Sequence, residues 1–284
     1  MRPRQWTKNL AVFAAIIFVG ELFDFALLAR VGAAFVALCL ISGGLYAFND
    51  AIDADRDRLH PIKRDRPVAS GRISRGQAFA VAAVAECAGL ALSVLLGRYF
   101  LATVLAYVVL HILYSVWLKN VAIVDMLAIA AGFVLRAVAG AVVIAVPVSP
   151  WLILCTGLLA LFLAAAKRRH ETVLLREASA GHRPVLSEYS AELLDSFMVT
   201  LSAATVTTYA LYTFFESKAP HSTMMLTIPF VIYGLLRYQY LVLRREGGGR
   251  PEDVLLTDRP IVIDVVLWVA SAVFALYVLP RFIS

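Results

Sequence analysis

Long apolar runs recur along the whole chain, and nothing else in the sequence limits its fold so severely. A helix crosses the hydrocarbon core of a bilayer with about 20 mostly apolar residues. Hydropathy predicts nine such spans, at roughly 8–24, 29–50, 75–97, 99–118, 122–146, 150–168, 190–215, 223–243 and 261–280. Charged residues make up 16% of the 284-residue chain and its mean hydropathy is +0.80, against about 25% charged in a soluble domain. A soluble all-α core is set aside in favour of an all-α, polytopic membrane protein. The first run, "LAVFAAIIFVGELF", resembles a secretory signal but has no small-residue cleavage site after it, so it is read as a span. No linker or low-complexity stretch interrupts the series, which predicts a single transmembrane domain over residues 1–284.

Lysine and arginine orient the chain. With nine alternating spans, 20 of the 26 basic residues fall on the side of the N-terminus and four on the other, while Arg136 and Arg237 lie within spans. The positive-inside rule then predicts a cytoplasmic N-terminus, cytoplasmic charged loops and an external C-terminus in the plasma membrane. The net charge of +6 follows from basic loops facing anionic lipid, and no nucleic-acid partner is required. Cys39, Cys87 and Cys155 sit in apolar runs without metal-ligand or disulfide spacing, and packing is their expected role.

"KRDRPVAS" (63–70) before the third span has an echo in "KRRHETVLLREASAGHRPVLS" (167–187) before the seventh. Such a repeat predicts two four-helix halves, each with a charged loop on the same face, and a ninth helix added at the end.

The densest charge lies in "NDAIDADRDRLHPIKRDRP", Asn49 to Pro67. If the second helix continues through it, Asp50, Asp53 and Asp57 share one face, while Asp55 points elsewhere. Three carboxylates on one face repel unless a cation stands between them. Oxygen donors without Cys or His favour Mg²⁺ or Mn²⁺, and Mg²⁺ fills its remaining positions with water and substrate phosphate oxygens. Asn49, Asp50, Asp53 and Asp57 are therefore the candidate metal ligands, with the three aspartates as the candidate catalytic residues. Lys63, Arg64 and Arg66 follow at once and suit phosphate oxygens. The alternative is a solvated loop whose charges pair with one another.

Two loops on the same side add candidates. "YSVWLKNVAIVD" brings Tyr114 and Lys119, along with Asn120 and Asp125, to the turn between spans four and five. "AAAKRRHETVLL" ends span six with Lys167, Arg168 and Glu171. The plain alternatives are a topological anchor for Lys119 and an i, i+4 salt bridge between Lys167 and Glu171. The last basic loop, "RREGGGRPEDVLLTDRP", has the glycines for a lid or a flexible connector. Glu86, Arg136 and Asp264 fall within spans, where ionisable groups are expected to be paired. Arg136 is read as half of an ion pair or as part of the site, and His111 as a packed residue.

"NDAIDADRD" matches the N-D-x-x-D-x-x-x-D motif, and with it the chain resembles the UbiA superfamily of intramembrane prenyltransferases over nearly its whole length. "RPRQWTKN", "DRLHPIKRDRPVASG", "YSVWLKNVAIVD" with "GFVLRAVAG", and "AAAKRRHE" are similar to one branch, which transfers phosphoribosyl to polyprenyl phosphate. The resemblance implies a UbiA-type bundle, Mg²⁺, and transfer from 5-phosphoribose 1-diphosphate to decaprenyl or another polyprenyl phosphate. Diphosphate is released, in the making of arabinan precursors for the cell wall. Ordinary members carry a second aspartate-rich motif after span six. Here that position reads Lys167, Arg168, Arg169, His170, Glu171, and the excess of base suits two phosphorylated substrates. Alternatives are a prenyltransferase with an aromatic or other acceptor, and a lipid transporter gated by charged loops. A homo-oligomer is compatible with the sequence.

Overall fold

The computed structural model describes residues 3–58, 63–177, 184–215, 220–244 and 251–283. It opens with a 3-10 helix, Pro3–Phe13, that runs into α1 (Ala14–Val19). Then come α2 (Phe25–Ile52), α3 (Ala54–Arg58), a 3-10 turn Lys63–Asp65, α4 (Arg75–Leu96), α5 (Arg98–Val116) and α6 (Val124–Val143). α7 (Pro150–Glu177), α8 (Ala191–Phe215), α9 (Ile228–Arg244), α10 (Pro251–Thr257), α11 (Arg259–Val273) and α12 (Pro280–Ile283) complete the chain. Among the described residues, eight helices are long and apolar enough to cross a membrane, and the protein is an integral membrane protein.

The first of the nine expected spans differs. Its apolar helical part is the shorter Gln5–Val19. It stops at Gly20, whose φ of 90° forms a left-handed cap. There Glu21 N–H bonds Ile16 O at 3.2 Å and Gly20 N–H bonds Ile17 O at 3.3 Å, the Schellman arrangement that glycine permits. Eleven residues of 3-10 helix and six of α-helix nevertheless rise about 30 Å, because 3-10 geometry climbs about 2.0 Å per residue against about 1.5 Å for α.

The other boundaries follow local chemistry. Asp24 caps α2 by accepting from the Ala26 and Leu27 N–H groups. Ser74 and Gln77 form a capping box on α4. Asp258 caps α11, with proline in its first turn. At the opposite end of the bundle from the acidic motif, Arg30 donates to the Val143 and Leu96 carbonyls and covers the C-terminal ends of α6 and α4.

Two apolar cores meet on α6. The N-terminal 3-10 helix and α1, α2 and α5 pack on its C-terminal half through Val12, Leu38, Phe100 and Ala139. α7, α8, α9 and α11 pack around its N-terminal half through Met126, Phe162, Leu194 and Leu235. Gly140 permits the closest approach, since a Cβ there would overlap the Val12 carbonyl. The expectation of a final helix that is merely added is corrected. The last span closes the bundle on its first segment, with Tyr277 Oη bonded to the Ile16 and Ile17 carbonyls and to Leu22 N–H. Phe18 also meets Trp268 edge-on.

Between the N-terminal segment and α6, α7, α8, α9 and α11 lies a cavity of about 730 Å³ with mostly apolar walls. Phe133, Trp151, Phe162, Tyr238 and Trp268 line it, and Lys8 stands in its wall.

Candidate active site

The acidic motif sits where α2 ends. The helix does not continue through it as expected: Asp53 leaves helical geometry at φ −83°, ψ 3°, and α3 restarts at Ala54. Backbone bonds Asp53 N–H to Asn49 O and Asp57 N–H to Asp53 O, both 2.9 Å, bridge the break and preserve the shared face. Asp50 and Asp57 are 7% and 4% exposed. Both point at one nitrogen of Arg66, at 3.2 and 2.6 Å. The cation between these two carboxylates is thus a guanidinium, itself 26% exposed and shared by both. Asp53 and Asn49 are half-buried, and the Asp53 carboxylate makes no ion pair or hydrogen bond among the described residues. Asp55 does point elsewhere, onto Arg75 at 2.5 Å and Arg58 at 3.3 Å. Arg75 holds its carboxyl below the usual range.

Of the bases that follow, Arg64 is exposed and pairs with nothing among the described residues. Lys63 opens the 3-10 turn Lys63–Asp65, but its side chain lies outside the described residues. So do residues 245–250, with the glycines of the expected lid.

The second cluster gathers at the same end of the bundle. Arg168 on α7 is 0% exposed, and so is Asp125 at the start of α6. Arg168 donates through Nε to Asp125 Oδ2 at 2.5 Å, through Nη1 to Glu171, and through Nη2 to Tyr114 Oη at 3.1 Å. All three guanidinium nitrogens are engaged, so Arg168 organises the cluster. Asp125 Oδ1 accepts from Tyr189 Oη at 2.7 Å, and Tyr189 Oη accepts from Ile123 N–H at 2.5 Å. Burial, with a smaller push from Asp125, raises the Tyr189 hydroxyl, which stays a donor.

The close ion pair of Glu171 is with Arg168 at i, i+3. Lys167 forms no salt bridge within 4 Å among the described residues, but lies within electrostatic reach of Glu171, Lys8, Arg168 and Tyr114. Lys119 occupies the 3-10 turn Leu118–Asn120, half-buried and without a partner among the described residues. Arg169 is structural, donating to Asp195 at 2.6 Å and to Val242 O at 3.0 Å, which ties α7 to α8 and α9.

The expectation of paired charges within the spans is corrected for Arg136, Glu86 and Asp264, whereas Arg237 on α9 is paired, with Asp258 at 2.9 Å. Arg136 meets neutral groups only: Asn9 Oδ1 at 2.8 Å, Gly132 O at 2.8 Å and Tyr107 Oη at 2.6 Å. Asn9 passes the network on to Cys39 and Ser42, each at 3.2 Å. Amide and phenol dipoles satisfy the guanidinium donors, and the Tyr107 ring adds its face at 4.7 Å. Glu86 and Asp264 have no cationic partner among the described residues, and Asp264 lines the cavity. His111 is packed as expected, against the rings of Tyr107 and Tyr46.

A sequence model of the UbiA prenyltransferase family matches residues 10–254. The chain belongs to the UbiA prenyltransferase family. It is 35% identical to a decaprenyl-phosphate phosphoribosyltransferase of Mycolicibacterium smegmatis, over 98% of this chain and 91% of that protein. It is 34% identical to the protein of the same name from Corynebacterium glutamicum, over 99% and 87%. Its fold is similar to a UbiA homolog from Archaeoglobus fulgidus bound to GPP and Mg²⁺, with a TM-score of 0.74 at 21% identity over 98% of both chains.

A divalent ion fits the acidic end of this UbiA family member chemically. Among the described residues no three acidic, histidine or cysteine side chains already form a metal cage. The motif's donors are all oxygen: two buried carboxylates that share one nitrogen of Arg66, and half-buried Asp53 with no ion pair or hydrogen bond among the described residues. That is the partial set Mg²⁺ takes when phosphate oxygens complete its sphere.

The sequence names Asp125 only as a member of its loop and does not single out Lys8 or Tyr189 at this end. Lys8, one of the bases of the N-terminal side, lines the cavity and lies within electrostatic reach of both Lys167 and His111. Asp125 carries a faint signal, an acid in the first turn of a helix. Tyr189 carries none, since its partners lie more than 60 residues away.

Proposed function

We propose that this protein transfers 5-phosphoribosyl from 5-phosphoribose 1-diphosphate to a polyprenyl phosphate such as decaprenyl phosphate, releasing diphosphate. The observation that carries the reading is the 35% identity, over 98% of the chain, to an enzyme of that name. The cations at the same end support it. Arg64, Lys119 and Lys167 lack salt-bridge partners among the described residues, and two phosphorylated substrates need such charges.

Asn49, Asp50, Asp53 and Asp57 would hold the metal on the donor diphosphate. A bound Mg²⁺ or Mn²⁺ supplies charge neutralisation to the leaving group. Arg66, already beside Asp50 and Asp57, presents further donors to phosphate oxygens. Lys119 and Lys167 hold the remaining phosphates, with Tyr114, Glu171 and Arg168 fixing their surroundings. The bond from ribose C1 to diphosphate oxygen breaks, diphosphate leaves with the electron pair, and an oxygen of the lipid phosphate bonds to C1. That phosphate is anionic at neutral pH, so positioning and charge replace a general base. The apolar cavity takes isoprene units of the acceptor. The charged end faces the cytoplasm and the C-terminus lies outside, a reading the excess of bases on that side supports.

Purified protein given Mg²⁺, labelled 5-phosphoribose 1-diphosphate and polyprenyl phosphate is expected to form labelled lipid. Turnover of a prenyl diphosphate, without any such lipid, refutes the reading in favour of prenyl transfer. Asp53→Asn is expected to weaken the Mg²⁺ dependence at least about tenfold, since even outer-shell partners of a metal contribute that much. An unchanged Mg²⁺ titration counts against the metal site.

A further inference from the structure

Lys119 stands on a short turn, and the reach of its ammonium depends on where the backbone of that turn is held. The lysine stem is flexible and brings no fork geometry of its own. The turn is anchored on both sides. Before it, Tyr114 in the last turn of α5 accepts from Arg168 Nη2 at 3.1 Å. After it, Ile123 N–H donates to Tyr189 Oη at 2.5 Å, and Tyr189 Oη donates to Asp125 Oδ1 at 2.7 Å. Asp125 Oδ2 in turn accepts from Arg168 Nε at 2.5 Å. The two anchors are therefore one buried network.

Ile123 shows that the network imposes a conformation. Its φ is 67°, and a β-branched residue adopts such a value only where its surroundings enforce it. It lies at the N-cap of α6 and has no side-chain cap. Its N–H is instead taken by a phenol from the segment between α7 and α8. Lys119 itself makes no hydrogen bond or ion pair among the described residues.

We propose that Tyr189, Asp125 and Arg168 are positioning residues that hold the Lys119 turn where its ammonium meets substrate phosphate. The proposal rests on reading this end of the bundle as a phosphate-transfer site. Tyr189 is the sensitive member, because one hydroxyl joins the strained backbone to the buried ion pair.

A mutant cycle on binding of inorganic diphosphate with Mg²⁺, read by calorimetry, tests it. Lys119→Ala and Tyr189→Phe are each expected to weaken binding about tenfold, the scale of one lost hydrogen bond to a charged group. In the Lys119→Ala background, Tyr189→Phe should change binding less than about twofold, since coupled residues do not add. Turnover should show the loss in KM for the donor rather than in kcat, because the interaction exists before and during reaction. Asp125→Asn serves as the second variant if Tyr189→Phe does not fold, with the same non-additivity expected. Additive effects, unchanged binding in both variants, or a loss confined to kcat overturns the proposal. Diphosphate is released from phosphoribosyl and prenyl donors alike. The expected binding cycle without phosphoribosyl transfer therefore sinks the substrate reading alone. No diphosphate binding by the wild type overturns both.

Discussion

Replacing Arg168 by methionine removes a guanidinium that is 0% exposed and leaves Asp125, also 0% exposed, without its cation. Methionine refills most of the volume with an adaptable side chain, so the cost is mainly electrostatic. Three arms are lost. The Asp125 arm dominates, because removing one partner of a buried pair costs about 3–5 kcal/mol. The Tyr114 arm adds about 1 kcal/mol as a hydrogen bond. The Glu171 arm adds less, because that side chain is 30% exposed and can recruit water. A loss of about 4–6 kcal/mol corresponds to a fall in melting temperature of at least about 10 °C in a chain of this size. Thermal unfolding in detergent, followed by the fluorescence of the four tryptophans, reads it. Adding Asp125→Asn to Arg168→Met removes the orphaned charge while keeping an acceptor for Tyr189, and should restore about half of the loss. A single variant within about 2 °C of wild type, or a double variant no more stable than the single, refutes the buried pair as the organiser of this cluster.

Two further perturbations separate packing from surface charge. Gly140→Ala places a Cβ on the Val12 backbone, which cannot rotate away as a side chain could. A destabilisation of about 1–3 kcal/mol is expected, with earlier proteolysis of the N-terminal segment; an unchanged melting curve refutes the close approach. The Asp55–Arg75 pair is exposed on both sides and should matter little. Because Arg75 lowers the Asp55 carboxyl, what the pair contributes is present above about pH 4. It is lost as pH falls through the lowered folded value. Arg75→Ala should therefore shift melting slightly at neutral pH and not at all in strong acid or high salt; a larger shift in acid has the wrong sign.

Much of this protein follows from one-dimensional pattern. Runs of about 20 apolar residues demand helices, because a bilayer core leaves backbone groups no partner outside the helix itself. Capping residues such as Asp24, Ser74 and Asp258 mark where helices begin. The i, i+3, i+7 spacing of Asp50, Asp53 and Asp57 places them on one face, and the local bonds at Asp53 keep that spacing through the break. These properties depend on neighbours within a turn or two, so the sequence carries them directly.

Only the tertiary structure decided the partners of the charges. Arg66 turns back to Asp50 and Asp57, while Arg168 spends every guanidinium nitrogen inside the protein. Arg136 finds one of its acceptors in Asn9, 127 residues away. Lys119 and Lys167, alike in type to those bases, remain without salt-bridge partners among the described residues. A residue's type states that it carries charge, whereas burial and the dipoles brought by distant helices decide how that charge is compensated. Which bases pair within the protein, and which have no salt-bridge partner among the described residues, is therefore settled by packing.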